Sequence, residues 1–240
     1  MRFIQHGLMS LGLAFLMATA GATPAAPQSG IDYRTLDKPQ SIEPGKKIEV
    51  TEFFWYSCPH CFAFDPYLAE WVKKQGDTIV FKRVPVNFRE SFIPQQKLYY
   101  ALEAMGKSDE LQGKIFHAIH VEHQNLDSDA AILDFIVKHG VDKQKFMDAY
   151  NAFGTQTKVK RALTLQEAYK IDGVPTIAID GKYETSPSIA GSSMGQQPES
   201  VLATAALQVM DALVVKVQNE RKATAVPTKL PAPVKEMIKK

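Results

Sequence analysis

The sequence predicts an α/β domain interrupted by a helical insertion. Two apolar runs, at 47–56 and 78–86, bracket a stretch whose apolar residues recur at helical spacing. From 91 to about 170 the pattern is helical throughout, and a strand pattern returns at 174–179. Strands on both sides of a helical block are the signature of one α/β unit with a helical segment inserted into it.

Each element has its own local cause. Ile48-Glu49-Val50-Thr51-Glu52-Phe53-Phe54-Trp55-Tyr56 is β-branched and aromatic, as suits a strand buried on both faces. A helix follows, with Cys61, Phe64, Leu68, Trp71 and Val72 on one stripe, Lys73 and Lys74 in its last turn and Gly76 just past it. The next strand, Thr78 to Val86, centres on Ile79-Val80-Phe81 and implies a parallel pair with a right-handed crossover. In the helical block Gly106, Gly140 and Gly154 sit where C-caps belong, and Ser108, Ser128 and Asp142 where N-caps belong. These divide the block into four or five short helices. Val174-Pro175-Thr176-Ile177-Ala178-Ile179 then forms a strand, and Asp180-Gly181 a hairpin turn into Lys182-Tyr183. A last helix is expected from about Pro198 to Val217.

Composition narrows the function less than the first segment does. The 240 residues are 45% hydrophobic and 22% charged, ordinary for a globular protein, and a formal net charge of +2 argues against a nucleic-acid binder. Arg2 and His6 precede an apolar run to Met17 and then Ala18-Thr19-Ala20-Gly21-Ala22. That is the layout of a secretory signal, with cleavage expected after Ala20 or Ala22. No later apolar run reads as a transmembrane helix, so a soluble protein outside the cytoplasm is expected. The resulting division is a signal peptide at 1–22, a Pro- and Ser-rich lead-in at 23–45, the first part of the α/β domain at 46–89, the helical insertion at 90–170, its second part at 171–221, and a Lys-, Pro- and Ala-rich disordered tail at 222–240.

Export changes how the two cysteines, Cys58 and Cys61, are read. Exported proteins usually use disulfides as staples between distant segments. This pair would close a ring of only four residues, worth about 2 kcal/mol in the chain-entropy model. It is better read as a reagent. Cys58 ends a strand and opens a helix, where unpaired N–H groups and the helix dipole favour a thiolate. Pro59 suits a first helical turn because it has no N–H to satisfy. His60 can hydrogen-bond or pair with the thiolate, and Cys61, one turn in on the apolar stripe, is the more buried, resolving thiol. Haem attachment would need a His directly after the second cysteine, where Phe62 stands.

Phe53-Phe54-Trp55-Tyr56-Ser57-Cys58-Pro59-His60-Cys61, with Val86-Asn87-Phe88, Gly173-Val174-Pro175-Thr176 and Asp180-Gly181-Lys182-Tyr183, resembles the DsbA family of periplasmic disulfide oxidases. The resemblance runs from about Ile31 to Arg221. It implies a thioredoxin-like fold with an inserted all-helical domain, a depressed cysteine pKa and a strongly oxidising couple. It also implies a cis Pro175 lying against Cys58, with Val174 pairing to extended substrate backbone. No cofactor or metal is expected. The implied partners are reduced exported proteins and a membrane-embedded, quinone-linked, DsbB-like reoxidase, and the chain is expected to be a monomer. A reductase or isomerase of the same fold is the alternative, although 23–47 leaves no room for the dimerisation domain that exported isomerases carry.

Glu52 shares strand parity with Ile48, Val50 and Phe54 and matches the family's buried acid, which exchanges protons with the second cysteine. Arg83 stands where the family carries a lysine paired with that acid. A guanidinium does not give up its proton, which weakens a relay through the pair. His117, His120 and His123 spread over about 120° of a helix whose buried stripe is Leu111, Ile115 and Ile119. That leaves His117 and His120 on a wet face rather than in a metal site.

Overall fold

The computed structural model describes residues 26–225. The expected signal segment and the end of the tail lie outside the described residues. The elements, in chain order, are β1 (Arg34–Thr35), β2 (Ile48–Phe54), α1 (Pro59–Gln75), β3 (Ile79–Pro85), α2 (Ile93–Ala104), α3 (Ser108–His120), α4 (Asp129–Lys138), α5 (Lys143–Asn151), α6 (Phe153–Ala168), β4 (Thr176–Ile179), β5 (Tyr183–Thr185), α7 (Pro187–Ala190) and α8 (Glu199–Ala225). The architecture is a thioredoxin-like fold carrying a helical insertion, α2 to α6.

The five strands form one sheet in the order β1-β5-β4-β2-β3. β2 and β3 run parallel in the register Ile48↔Ile79 to Phe54↔Pro85, joined through α1. β4 pairs antiparallel with β2, and β5 with β4. The β4–β5 turn has Asp180 at φ 56° and Gly181 at φ 65° at its centre, closed by the Lys182 N–H on the Ile179 carbonyl at 3.1 Å, so that three residues separate the paired Ile179 and Tyr183. A Cβ on Gly181 would run into the carbonyl of Gln40, so this turn also depends on a close backbone approach.

Every residue of β2 is buried, so the central strand is sealed on both faces. On one side Val50, Ile177 and Ile179 pack with Phe64, Leu68 and Trp71 of α1 and with Val209, Met210 and Leu213 of α8. A second cluster joins Phe53 and Ala178, from the opposite face, and Phe54, at the end of β2, to Leu98, Leu102, Phe116 and Tyr169 from the helical segment. Each fully buried side chain of this size contributes about 1.5–3 kcal/mol. The sheet is therefore fixed between α1 and the insertion, and β2 delivers the cysteine motif to the seam between them.

Several local expectations are corrected. Ser128 and Asp142 do cap α4 and α5, accepting from the N–H of Ala131 and Lys145. Ser108 instead lies inside α3, whose N-cap is Lys107 with no side-chain bond. Gly106 (φ 65°) and Gly140 (φ 74°) end helices, but Gly154 is the second residue of α6, because the α5–α6 junction is made by the extended Ala152. The lead-in contains β1, and the last helix runs past Arg221 to Ala225. α8 is also long and apolar enough to span a membrane, with a mean hydropathy of 1.6, contrary to the expectation that no such run follows the first segment. Its apolar face is that of a core helix, packed on α1 and the sheet.

Candidate active site

α1 begins where β2 ends. Cys58 is its N-cap, with φ −82° and ψ 118°, and Pro59 takes the first helical position. The Cys58 N–H bonds to the Trp55 carbonyl at 3.0 Å, and the Cys58 carbonyl accepts from Phe62 N at 3.1 Å. Both thiols are free. Cys58 is 6% exposed and Cys61 wholly buried. One helical turn thus separates a thiol at the surface seam from one in the core.

Their acidities diverge for physical reasons. Cys58 is lowered from 9.0 to about 6, chiefly by the hydrogen bond from the Cys61 side chain; burial opposes this. The backbone N–H groups of Cys61 and His60 and the His60 charge add to the stabilisation. Burial, then the hydrogen bond and charge of Cys58, push the Cys61 thiol up. The pair is a ready thiolate beside a reluctant one.

The Val174–Pro175 bond is cis, as the resemblance implied. The Cys58 thiol donates to the Val174 carbonyl at 3.3 Å, so the two segments meet at the reactive sulfur. Pro175 is buried and Val174 half-buried.

Beneath them lies a buried charge cluster. Glu52 is 1% exposed. Its Oε2 accepts from Arg83 Nε at 2.8 Å, so the two are paired, while Oε1 has no hydrogen-bond partner among the described residues. Burial pushes the carboxyl up to about 7 and outweighs the guanidinium beside it. Arg83 also reaches Asp65 at 3.4 Å and Asp109 at 3.6 Å. Asp65 is likewise raised, by burial above all. A chain of bonds runs on from Asp65 to Gln112 and from Gln112 to the Tyr56 hydroxyl, tying α1, α3 and the end of β2 together.

Cys58, Pro59, Cys61, Glu52, Val174 and Pro175 therefore meet, while His60 adjoins them in the chain with its side chain turned away. The histidines differ from expectation. The His60 imidazole is turned to Glu199 at the start of α8, with Nδ1 2.7 Å from Oε1. His120 is half-buried rather than on a wet face: its Nε2 meets the Tyr56 carbonyl at 2.8 Å, and its ring stacks on Phe62 at 4.8 Å. Phe62 of α1 and the end of β2 cover it from outside α3. His117 is exposed and 3.3 Å from Glu122. Among the described residues no three His, Cys, Asp or Glu side chains group as a metal site. Sequence reasoning missed Asp65, although a carboxylate one turn beyond Cys61 on the apolar stripe was a readable signal. Nothing local to Glu199 announced its place beside His60.

The family description "DSBA-like thioredoxin domain" matches residues 49–206. A Burkholderia cepacia protein named thiol:disulfide interchange protein DsbA is 47% identical over 215 residues, covering 89% of this chain and 96% of its own. A Pseudomonas aeruginosa protein of the same name is 35% identical over 189 residues, covering 77% and 90%. The crystal structure of Pseudomonas aeruginosa DsbA superposes with a TM-score of 0.74 at 33% identity, covering 82% of this chain and 97% of that one. NmDsbA1 from Neisseria meningitidis superposes with a TM-score of 0.70 at 25% identity, covering 82% and 97%.

Proposed function

The chain belongs to the DSBA-like thioredoxin family and is a thiol:disulfide oxidoreductase, and from that premise we propose how its residues move a disulfide. In the oxidised protein a substrate thiolate attacks the Cys58 sulfur. The Cys58–Cys61 bond breaks, Cys61 leaves with the electron pair, and a mixed disulfide joins substrate to Cys58. A second substrate thiolate then attacks the substrate sulfur and expels the Cys58 thiolate. The substrate has lost two electrons and two protons, and the protein holds a dithiol.

The observation that carries this reading is the asymmetry of the two thiols, one lowered to about 6 and the other raised. A thiolate of low basicity is a good leaving group, so the second step favours release of the oxidised substrate. The basic Cys61 anion left by the first step takes up a proton, and Glu52, near 7 and with one oxygen unpaired among the described residues, supplies it. Arg83 stays charged throughout and serves to hold Glu52 in place. Val174 offers its backbone to an extended substrate segment beside the sulfur, and Pro175 sets that loop.

The substrates are reduced, newly exported proteins in the periplasm. A quinone-linked, DsbB-like membrane partner takes the electrons back from the dithiol. The export pattern at 1–22 and the family support this. The reductase or isomerase alternative is not favoured by relatives that carry the DsbA name. Oxidative refolding of a reduced, disulfide-containing protein tests the whole reading: the oxidised chain accelerates it and Cys58→Ser abolishes the effect. An active Cys58→Ser protein beside a dead Cys61→Ser protein would reverse the assignment of the nucleophile.

A further inference from the structure

His60 lies next to the reactive sulfur in sequence, yet its side chain is committed elsewhere. Nδ1 is 2.7 Å from Glu199 Oε1, a bond between the first turn of α1 and the first turn of α8. The Cys58 sulfur is bonded to the Val174 carbonyl, and among the described residues no hydrogen bond joins it to the imidazole. The thiolate is served by the Cys61 thiol and by backbone N–H groups, and the His60 charge is the least of the influences on it.

An imidazolium has two N–H donors, one on each ring nitrogen. A carboxylate that takes the Nδ1 donor also fixes the plane of the ring, and it places its own negative charge beside the thiolate. Glu199 and the Cys58 sulfur thus compete for one imidazole. We propose that Glu199 is a positioning residue that holds the His60 imidazole toward α8 and so limits its stabilisation of the Cys58 thiolate. The carboxylate then acts as a brake on the oxidising strength of the disulfide. This inference rests on the disulfide-donating reading of Cys58.

Four proteins test it: wild type, Glu199→Ala, His60→Ala and the double variant. Each is brought to equilibrium with glutathione, in which one protein disulfide and two glutathione thiols give one protein dithiol and one glutathione disulfide. The Cys58 thiolate is titrated separately by ultraviolet absorbance, a readout that needs no substrate protein and stands whether or not refolding activity is found. Glu199→Ala is expected to lower the Cys58 midpoint by about half a pH unit, and to shift the glutathione equilibrium about threefold toward the dithiol, or about 15 mV. In the His60→Ala background the same change should have less than half that effect. A midpoint that stays put or rises in Glu199→Ala overturns the proposal. So does an effect of full size in the His60→Ala background, since Glu199 would then act on the sulfur directly. Far-UV circular dichroism establishes that the variants keep their helices, as expected for a half-exposed pair.

Discussion

Unfolding the dithiol and disulfide forms side by side across pH isolates what the folded state does for the Cys58 thiolate. The thiol is held at about 6 against an ordinary 9.0. A group with a depressed folded pKa adds stability that is complete above its unfolded pKa and is lost as pH falls through its folded one. For Cys58 that window is roughly 9 down to 6. The contribution is about 1 kcal/mol at pH 7, because the unfolded thiol is still protonated there, and about 3 kcal/mol at pH 8.5. The disulfide form instead has its four-residue ring, about 2 kcal/mol and independent of pH. The disulfide form should therefore be the more stable at pH 6, the two should cross near about pH 7.5, and the dithiol should lead by about 1 kcal/mol at pH 8.5. Above about pH 9 the advantage shrinks again, since the raised Cys61 thiol stays protonated in the folded state while it ionises in the unfolded chain. Burial, the first cause of the raised Glu52 carboxyl, acts in both forms and is common to them. Urea unfolding of each form, followed by fluorescence of Trp55 and Trp71, measures the difference. A difference that is flat between pH 5.5 and 8.5, or a disulfide form still ahead at pH 8.5, would refute the reasoning.

The other expectations are quicker to state. Cys61→Ala should accumulate mixed disulfides through Cys58, visible by mass spectrometry, because nothing remains to resolve them. Arg83→Met strands Glu52 and Asp65 in the core and should cost about 3–5 kcal/mol at pH 8 in denaturant unfolding. That cost should shrink on acidification, because both carboxyls already sit above their ordinary values and protonate readily; a loss that grows toward pH 5 would contradict the assignment. Gly181→Ala forces a Cβ onto the Gln40 carbonyl at a positive φ and should destabilise by at least about 1 kcal/mol, read as a lowered Tm.

How much of this was legible in the sequence follows from the range of each interaction. β2, α1 and β3 are written in local periodicity, and Cys58 at the strand–helix boundary is a local fact too. Asp180-Gly181 named its own turn because both residues tolerate positive φ. β1 was missed because two residues carry no period, and Arg34 and Thr35 become a strand only through pairing with Glu184 and Tyr183. Gly154 and Ser108 misled because residue type states a preference for caps, while Lys107 and Ala152 had the backbone geometry. His120 was placed on the wet face from the spacing of α3 alone, which is blind to Phe62 and Tyr56 arriving from another segment. Glu199 lies far from His60 in the chain, and no spacing rule reaches that far.

The central claim is that the Cys58–Cys61 disulfide is donated rather than consumed. Mixing oxidised protein with an excess of a reduced exported protein, with no other oxidant present, and counting thiols after acid quenching tests this most directly. Each molecule should pass on one disulfide, so that Cys58 and Cys61 become alkylatable while two substrate thiols disappear. Retention of the Cys58–Cys61 bond with the substrate still reduced would contradict it.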